Sequence, residues 1–87
     1  MGYAVRLIPS ARKALQKLPR DAQERILFAL ALLQSTPIPL HAKKLSGKKG
    51  YYRIRVGEYR IIYQVREEEL LILVIKVGHQ KEVLHRE

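Results

Sequence analysis

Cysteine is absent from the 87 residues. That excludes disulfides and thiolate zinc sites and suits a reducing, cytoplasmic setting. Long apolar runs are missing as well. Nothing approaches the roughly 20 residues that cross a bilayer as a helix, so no membrane partner is expected. Residues 1–6 show no basic stretch leading into an apolar one, so no signal peptide is expected there. Acids are scarce: eight Asp and Glu stand against seventeen Lys and Arg, a formal net charge of +9. The carboxylates gather at Asp21 and Glu24 and at Glu67, Glu68 and Glu69. Metal-assisted phosphoryl chemistry needs carboxylates clustered at a site, whereas these read as a helix start and a solvated hairpin tip. His41, His79 and His85 lack ligand spacing, and no glycine-rich phosphate loop or G-x-S-x-G motif occurs. Neither a metal nor another cofactor is expected.

What is present begins with enough apolar residues, 47 % of the chain, to build a globule. The length predicts one domain over residues 1–87, burying roughly 60–65 % of its unfolded surface. Such a core is thin, so a bound partner would add materially to stability. The positive charge works against compaction by self-repulsion and points to a polyanionic partner. Its placement sharpens this. Residues 1–20 hold Arg6, Arg12, Lys13, Lys17 and Arg20 and no acid. Residues 43–60 hold Lys43, Lys44, Lys48, Lys49, Arg53, Arg55 and Arg60 against Glu58 alone. Such clustering is the footprint of a nucleic-acid face.

The fold class reads as α+β. Residues 3–8 form a strand with Val5 and Leu7 on one side. Pro9 ends it and Ser10 offers an N-cap to a helix over residues 11–18. Pro19 separates this from a second helix running to about Ser35, with Ala22, Ile26, Leu30 and Leu33 inward and Leu27 and Ala29 widening the stripe. A basic loop over residues 41–50 leads to two alternating runs around Gly57-Glu58, a β-hairpin. Residues 70–77, almost wholly apolar, read as a central strand covered on both faces and ended by Gly78. The order β-α-α-β-β-β gives a helical hairpin on one face of a small, mostly antiparallel sheet, with the other face free.

The hairpin predicts side-chain geometry. With Gly57 and Glu58 as the turn, Val56 pairs with Tyr59, Arg55 with Arg60, Ile54 with Ile61, Arg53 with Ile62 and Tyr52 with Tyr63. Arg53, Arg55 and Arg60 then share one face, and Arg55 opposes Arg60 with Cβ atoms about 5 Å apart. Like charges so placed destabilise a sheet unless an anion sits between them. Guanidinium forks match phosphate geometry and remain charged at any working pH. A solvated face, with these arginines lying over tyrosine rings or paired with Glu58 and the glutamate triplet, is the competing reading. A cationic site without metal or carboxylates suits RNA cleavage by the substrate's own 2′-hydroxyl, which yields a 2′,3′-cyclic phosphate. Such a site orients the backbone, offsets charge on the phosphorane and moves protons.

At this point the chain resembles the RelE/ParE superfamily of toxins. The likeness is carried by Lys17-Leu18-Pro19, Lys44-Leu45-Ser46-Gly47, Tyr52 through Tyr63, Val74-Ile75-Lys76-Val77-Gly78-His79 and Glu82-Val83. The resemblance implies a toxin of a type II toxin–antitoxin system. It implies a cognate acidic antitoxin that wraps the toxin, and a RelE-like endoribonuclease that cuts mRNA in the A site of the small ribosomal subunit. Arg53, Arg55 and Arg60 match the family's basic strand positions. Gln80 and Leu84 stand where RelE-like toxins commonly carry Arg and Tyr, which leaves Lys81, or His79 after it, to aid proton transfer, with His85 beside Leu84. Lys43, Lys44, Lys48 and Lys49 are assigned to ribosomal RNA. The alternatives are a ParE-like, non-catalytic inhibitor of DNA gyrase and a degenerate toxin kept as a binding module.

Overall fold

The structure, a computed structural model, describes residues 2–81. Glu82, Val83, Leu84 and His85 therefore lie outside the described residues, and with them the readings made at those positions. The chain forms β1 (Ala4–Leu7), α1 (Pro9–Gln16), α2 (Arg20–Leu33), β2 (Lys43–Lys44), β3 (Tyr51–Val56), β4 (Tyr59–Arg66), a 3-10 turn (Glu67–Glu69) and β5 (Leu71–His79). The five strands lie in the order β1-β5-β4-β3-β2. β1 runs parallel to β5, and every other neighbouring pair is antiparallel. The expected α+β architecture is present, with β2 as an added two-residue edge strand inside the basic loop.

The first helix starts earlier than its polar residues suggest. Ser10 does not cap it. Ile8 takes the N-cap position and Pro9 the first turn, where its fixed φ and missing N–H carry no penalty. Ile8 is instead held by the sheet, its N–H donating to the Val74 carbonyl at 3.1 Å. Pro19 caps α2, and its carbonyl accepts the Gln23 N–H at 3.0 Å. The Gln23 amide reaches back to the Leu18 and Gln16 carbonyls at 2.8 and 3.2 Å, closing the short link between the helices. The second helix ends at Leu33 rather than Ser35.

α1 lies over β5 and α2 over β3. Ala11, Leu15, Ile26, Leu30 and Leu33 meet Ile54, Ile61, Tyr63, Ile72, Val74 and Val77 in one buried cluster. Ala22, Ile26, Leu30 and Leu33 are the buried stripe of α2. Leu27 does not join it: it is 51 % exposed, one helical step from Ile26 and so turned about 100° off the buried face. The sheet's other face is not bare at its centre, since Ile62 and Arg60 keep only 7 % and 8 % of their exposure.

β5 departs from simple alternation. Ile62 pairs with Lys76 but Tyr63 with Val74, so Ile75 is an extra residue, a β-bulge. Ile72 and Val74 face the core before the bulge and Val77 after it. Gly78 does not end the strand. It pairs with Arg60, and the ladder continues to His79 opposite Tyr59.

Tyr63 ties the sheet to the segment leaving α2. It is fully buried, and its hydroxyl donates to the Pro37 carbonyl at 2.7 Å. Burial, reinforced by Tyr52 with its ring 6.0 Å away, pushes the phenol up from 10.0 to about 12. The folded state therefore holds this proton more tightly than the unfolded chain. Its contribution is complete below pH 10 and is lost as pH rises toward about 12. Tyr63→Phe is expected to lower stability at neutral pH by about 1–2 kcal/mol, because the Pro37 carbonyl loses its donor. It should also flatten the alkaline fall of the melting temperature between pH 10 and 12. Thermal melts across that range check both outcomes, and an unchanged alkaline limb would show that other groups set it.

Candidate nucleic-acid interface

The turn Gly57-Glu58 sets the site. Gly57 has φ +59°, the left-handed region that glycine adopts freely, and a Cβ there would stand 3.1 Å from the Arg25 guanidinium. Glu58 keeps negative φ, so glycine occupies the first turn position as a II′-type link requires. The resulting register is Val56 with Tyr59, Arg55 with Arg60, Ile54 with Ile61, Arg53 with Ile62 and Tyr52 with Tyr63. Each of these five pairs is the one expected from a two-residue link.

Strand alternation then sorts the side chains. Tyr52, Ile54, Val56, Tyr59, Ile61 and Tyr63 take the helix side. Arg53, Arg55 and Arg60 share the opposite side, with Arg55 directly across from Arg60. Their environments differ: Arg55 is exposed, Arg53 half-buried, and Arg60 is the one charged side chain buried among the described residues.

The four loop lysines divide. Lys43 pairs with Arg53 and joins the arginine face. Lys48 lies 5.5 Å from the centre of the Tyr51 ring, a cation–π contact, and Tyr51 shares that face by alternation from Arg53. Lys44 pairs with Tyr52 instead, on the other side. With Lys49 it lines a hollow shared with Glu67, Glu68 and Glu69.

His79 is placed away from the arginines. It pairs with Tyr59, on the helix side, and meets that ring edge-on with centroids 5.9 Å apart. Its Nε2 is 3.2 Å from a Glu58 carboxylate oxygen, and its Nδ1 accepts the Lys81 N–H at 3.3 Å. Lys81 is exposed just beyond the strand, anchored by the preceding bond from the Gln80 N–H to the Glu58 carbonyl at 2.9 Å.

Two cations of this face were not singled out from the sequence. Arg6 pairs with Leu73, and Lys76 with Ile62, so both point to the arginine side. For Arg6 the signal was the acid-free start of the chain. For Lys76 there was none, because plain alternation from Ile72 and Val74 puts it in the core. No strand position on this face is acidic among the described residues.

A five-stranded sheet with helices on one side and clustered arginines on the other defines the class, and comparison with known proteins agrees. The family model described as "ParE toxin of type II toxin-antitoxin system, parDE" matches residues 5–84. The chain is 29 % identical to Toxin RelG of Mycobacterium tuberculosis, covering 99 % of this chain and all of that one. It is 30 % identical to the mRNA interferase toxin RelE of Escherichia coli K12, covering 93 % and 86 % of the two chains. Among solved structures it superposes on a chain of the archaeal RelE–RelB complex from Pyrococcus horikoshii with a TM-score of 0.82 at 33 % identity, covering 92 % and 97 %. The chain belongs to the RelE/ParE family of type II toxin–antitoxin toxins.

The opposed arginines generate a stability test. Removing exposed Arg55 relieves a like-charge contact worth about 0.2–1 kcal/mol. Arg55→Ala should therefore hold the melting temperature or raise it by roughly 1–8 °C. A loss of more than about 5 °C in differential scanning calorimetry would show that Arg55 is held by attraction instead.

Proposed function

We propose that this toxin is a metal-independent endoribonuclease that cuts mRNA in the ribosomal A site. The observation that carries the reading is the register-enforced pairing of Arg55 with Arg60, with Arg53 on the same face. Guanidinium forks gathered on one face match the geometry of a phosphate placed between them. The mRNA interferase name of the Escherichia coli relative supports it. In the proposed reaction the substrate's 2′-oxygen attacks phosphorus and the bond to the 5′-oxygen breaks, leaving a 2′,3′-cyclic phosphate and a 5′-hydroxyl. Arg53, Arg55 and Arg60 hold the scissile phosphate and offset the charge of the phosphorane. Arginine keeps its proton at any working pH, so another group must carry the proton from the 2′-hydroxyl to the 5′-oxygen. Lys81 takes that role. His79 is the second candidate and must first leave Glu58. Lys43 and Lys48, on the arginine face, bind ribosomal RNA, and Lys44 and Lys49 do so from the opposite side of the edge strand.

Toeprinting of translated mRNA tests this. The native toxin should produce cuts at A-site codons. Arg53→Ala and Arg60→Ala should each slow cleavage by about 10²–10³-fold, the usual worth of one preorganised donor, while ribosome binding weakens little. A folded Arg53→Ala or Arg60→Ala variant that cuts at the native rate rejects the assignment. The ParE description of the matched family and the Gln80 substitution favour one other reading, a gyrase inhibitor. An intact toeprint together with accumulated gyrase–DNA cleavage complexes would establish it.

The partner in this proposal is an acidic antitoxin. Three features support it: the +9 charge, the RelE–RelB assembly of the Pyrococcus relative, and an apolar hollow between α2 and β3. Phe28, Leu32, Leu33, Pro39, Ile54 and Val56 line that hollow, with Arg25, Arg55 and Glu24 at its margin. A segment with apolar residues along one side and carboxylates beside them fits such a groove. Co-expression with a short acidic protein encoded beside the toxin should restore growth. Its binding should raise the melting temperature by roughly 10 °C or more when present far above its dissociation constant. Growth arrest that no adjacent gene product relieves would reject this partner.

A further inference from the structure

β5 carries one lysine, Lys76, in an otherwise apolar run. Unbroken alternation from Ile72 and Val74 would send it into the core, where both of those side chains are fully buried. The bulge at Ile75 prevents this: alternation restarts, Val77 fills the core position, and Lys76 turns to the arginine face opposite Ile62. Lys43, Arg53, Ile62 and Lys76 now form one row across four strands. Arg55, Arg60 and Gly78 form the next row. Gly78 places no side chain opposite Arg60, so Lys76 is its diagonal neighbour on β5, with the two Cα atoms roughly 7–8 Å apart. The bulge thus gives up ladder regularity to add a further cation beside two arginines, with no acid on the facing strand positions among the described residues.

We propose that Lys76 holds the backbone phosphate adjoining the scissile one, a subsite that extends the RNA path from β3 across β4 to β5. The inference rests on the reading of the arginine face as the RNA-cleaving site. Strands lie about 4.8 Å apart, so Lys76 stands two strand spacings from Arg53 and on the β5 side of Arg60, where a backbone held by the arginines runs on to its next phosphate. The division of chemistry agrees. Guanidinium forks suit a phosphate whose geometry changes in the reaction, and a flexible ammonium suits one that is only held.

The test uses ribosomes programmed with mRNA carrying 2′-O-methyl nucleotides in the A site, which bind without being cut, and unmodified mRNA for single-turnover cleavage. Lys76→Met keeps the aliphatic stem beside Ile62 and removes the charge. Lys76→Gln is a second neutral variant, Lys76→Arg restores the charge, and thermal melts verify that each folds. Both neutral variants should lower the log–log salt slope of binding by about 0.7, the share of one single-strand phosphate. At about 0.1 M salt that slope corresponds to a roughly fivefold higher half-saturating concentration. The maximal cleavage rate should stay within about twofold, and Lys76→Arg should behave as the native chain does. Folded neutral variants with the native salt slope overturn the subsite. So does a fall in maximal rate at unchanged saturation, which would put Lys76 at the reacting phosphate, or a weakening of antitoxin binding alone. If the native toxin itself binds no programmed ribosomes, the RNA-cleaving reading fails and takes the subsite with it, an outcome distinct from native binding that Lys76 does not affect.

Discussion

Two residues join β3 to β4, and the sheet's arrangement depends on how few they are. A link this short permits one register, and a shift of one position would exchange the two faces of a strand. The buried partners Ile54, Ile61 and Tyr63 hold the register on the helix side. The same register forces Arg55 against Arg60 on the opposite side. Core burial and the cationic face are therefore not separable features. The hydrophobic side stabilises the arrangement that brings the arginines together on the opposite side. Gly57 bears this constraint most directly, since its positive φ disfavours any residue with a Cβ.

The bulge in β5 is the second control. It lets one strand give Ile72 and Val74 to the core, skip a residue, and give Val77 to the core again. It also brings Gly78 opposite Arg60 and His79 opposite Tyr59. The end of β5 is thus divided between the two faces of the sheet. Lys76 joins the arginines, and His79 is bound to Glu58 and Tyr59 on the helix side. That division separates the clustered cations of the sheet from His79.

The exposed apolar residues of α2 complete the picture. Phe28 and Leu32 are 67 % and 54 % exposed, on a helix whose other side builds the core. Such exposure leaves an apolar strip of α2 uncovered in the free chain. It lies beside Arg25, Arg55 and Glu24.

The helical hairpin, the β3–β4 register and the arginine trio were legible in the sequence, because each follows from local periodicity and a tight turn. Family resemblance reached the same strands by way of Tyr52 through Tyr63. The start of α1 was misplaced, since Ser10 is a good cap in isolation while the sheet holds Ile8 at that position through Val74. Leu27 was counted inward on hydrophobicity alone. The end of β5 and the side taken by Lys76 were beyond sequence reasoning, because a continuous apolar run shows no alternation to read and a bulge exists only relative to the strand beside it. Sequence by itself determined which residues pair across the hairpin, since two link residues allow few geometries. Tertiary structure alone decided where β5 slips by one residue, how deeply Arg60 is buried and which face His79 takes, since each depends on what packs beside it.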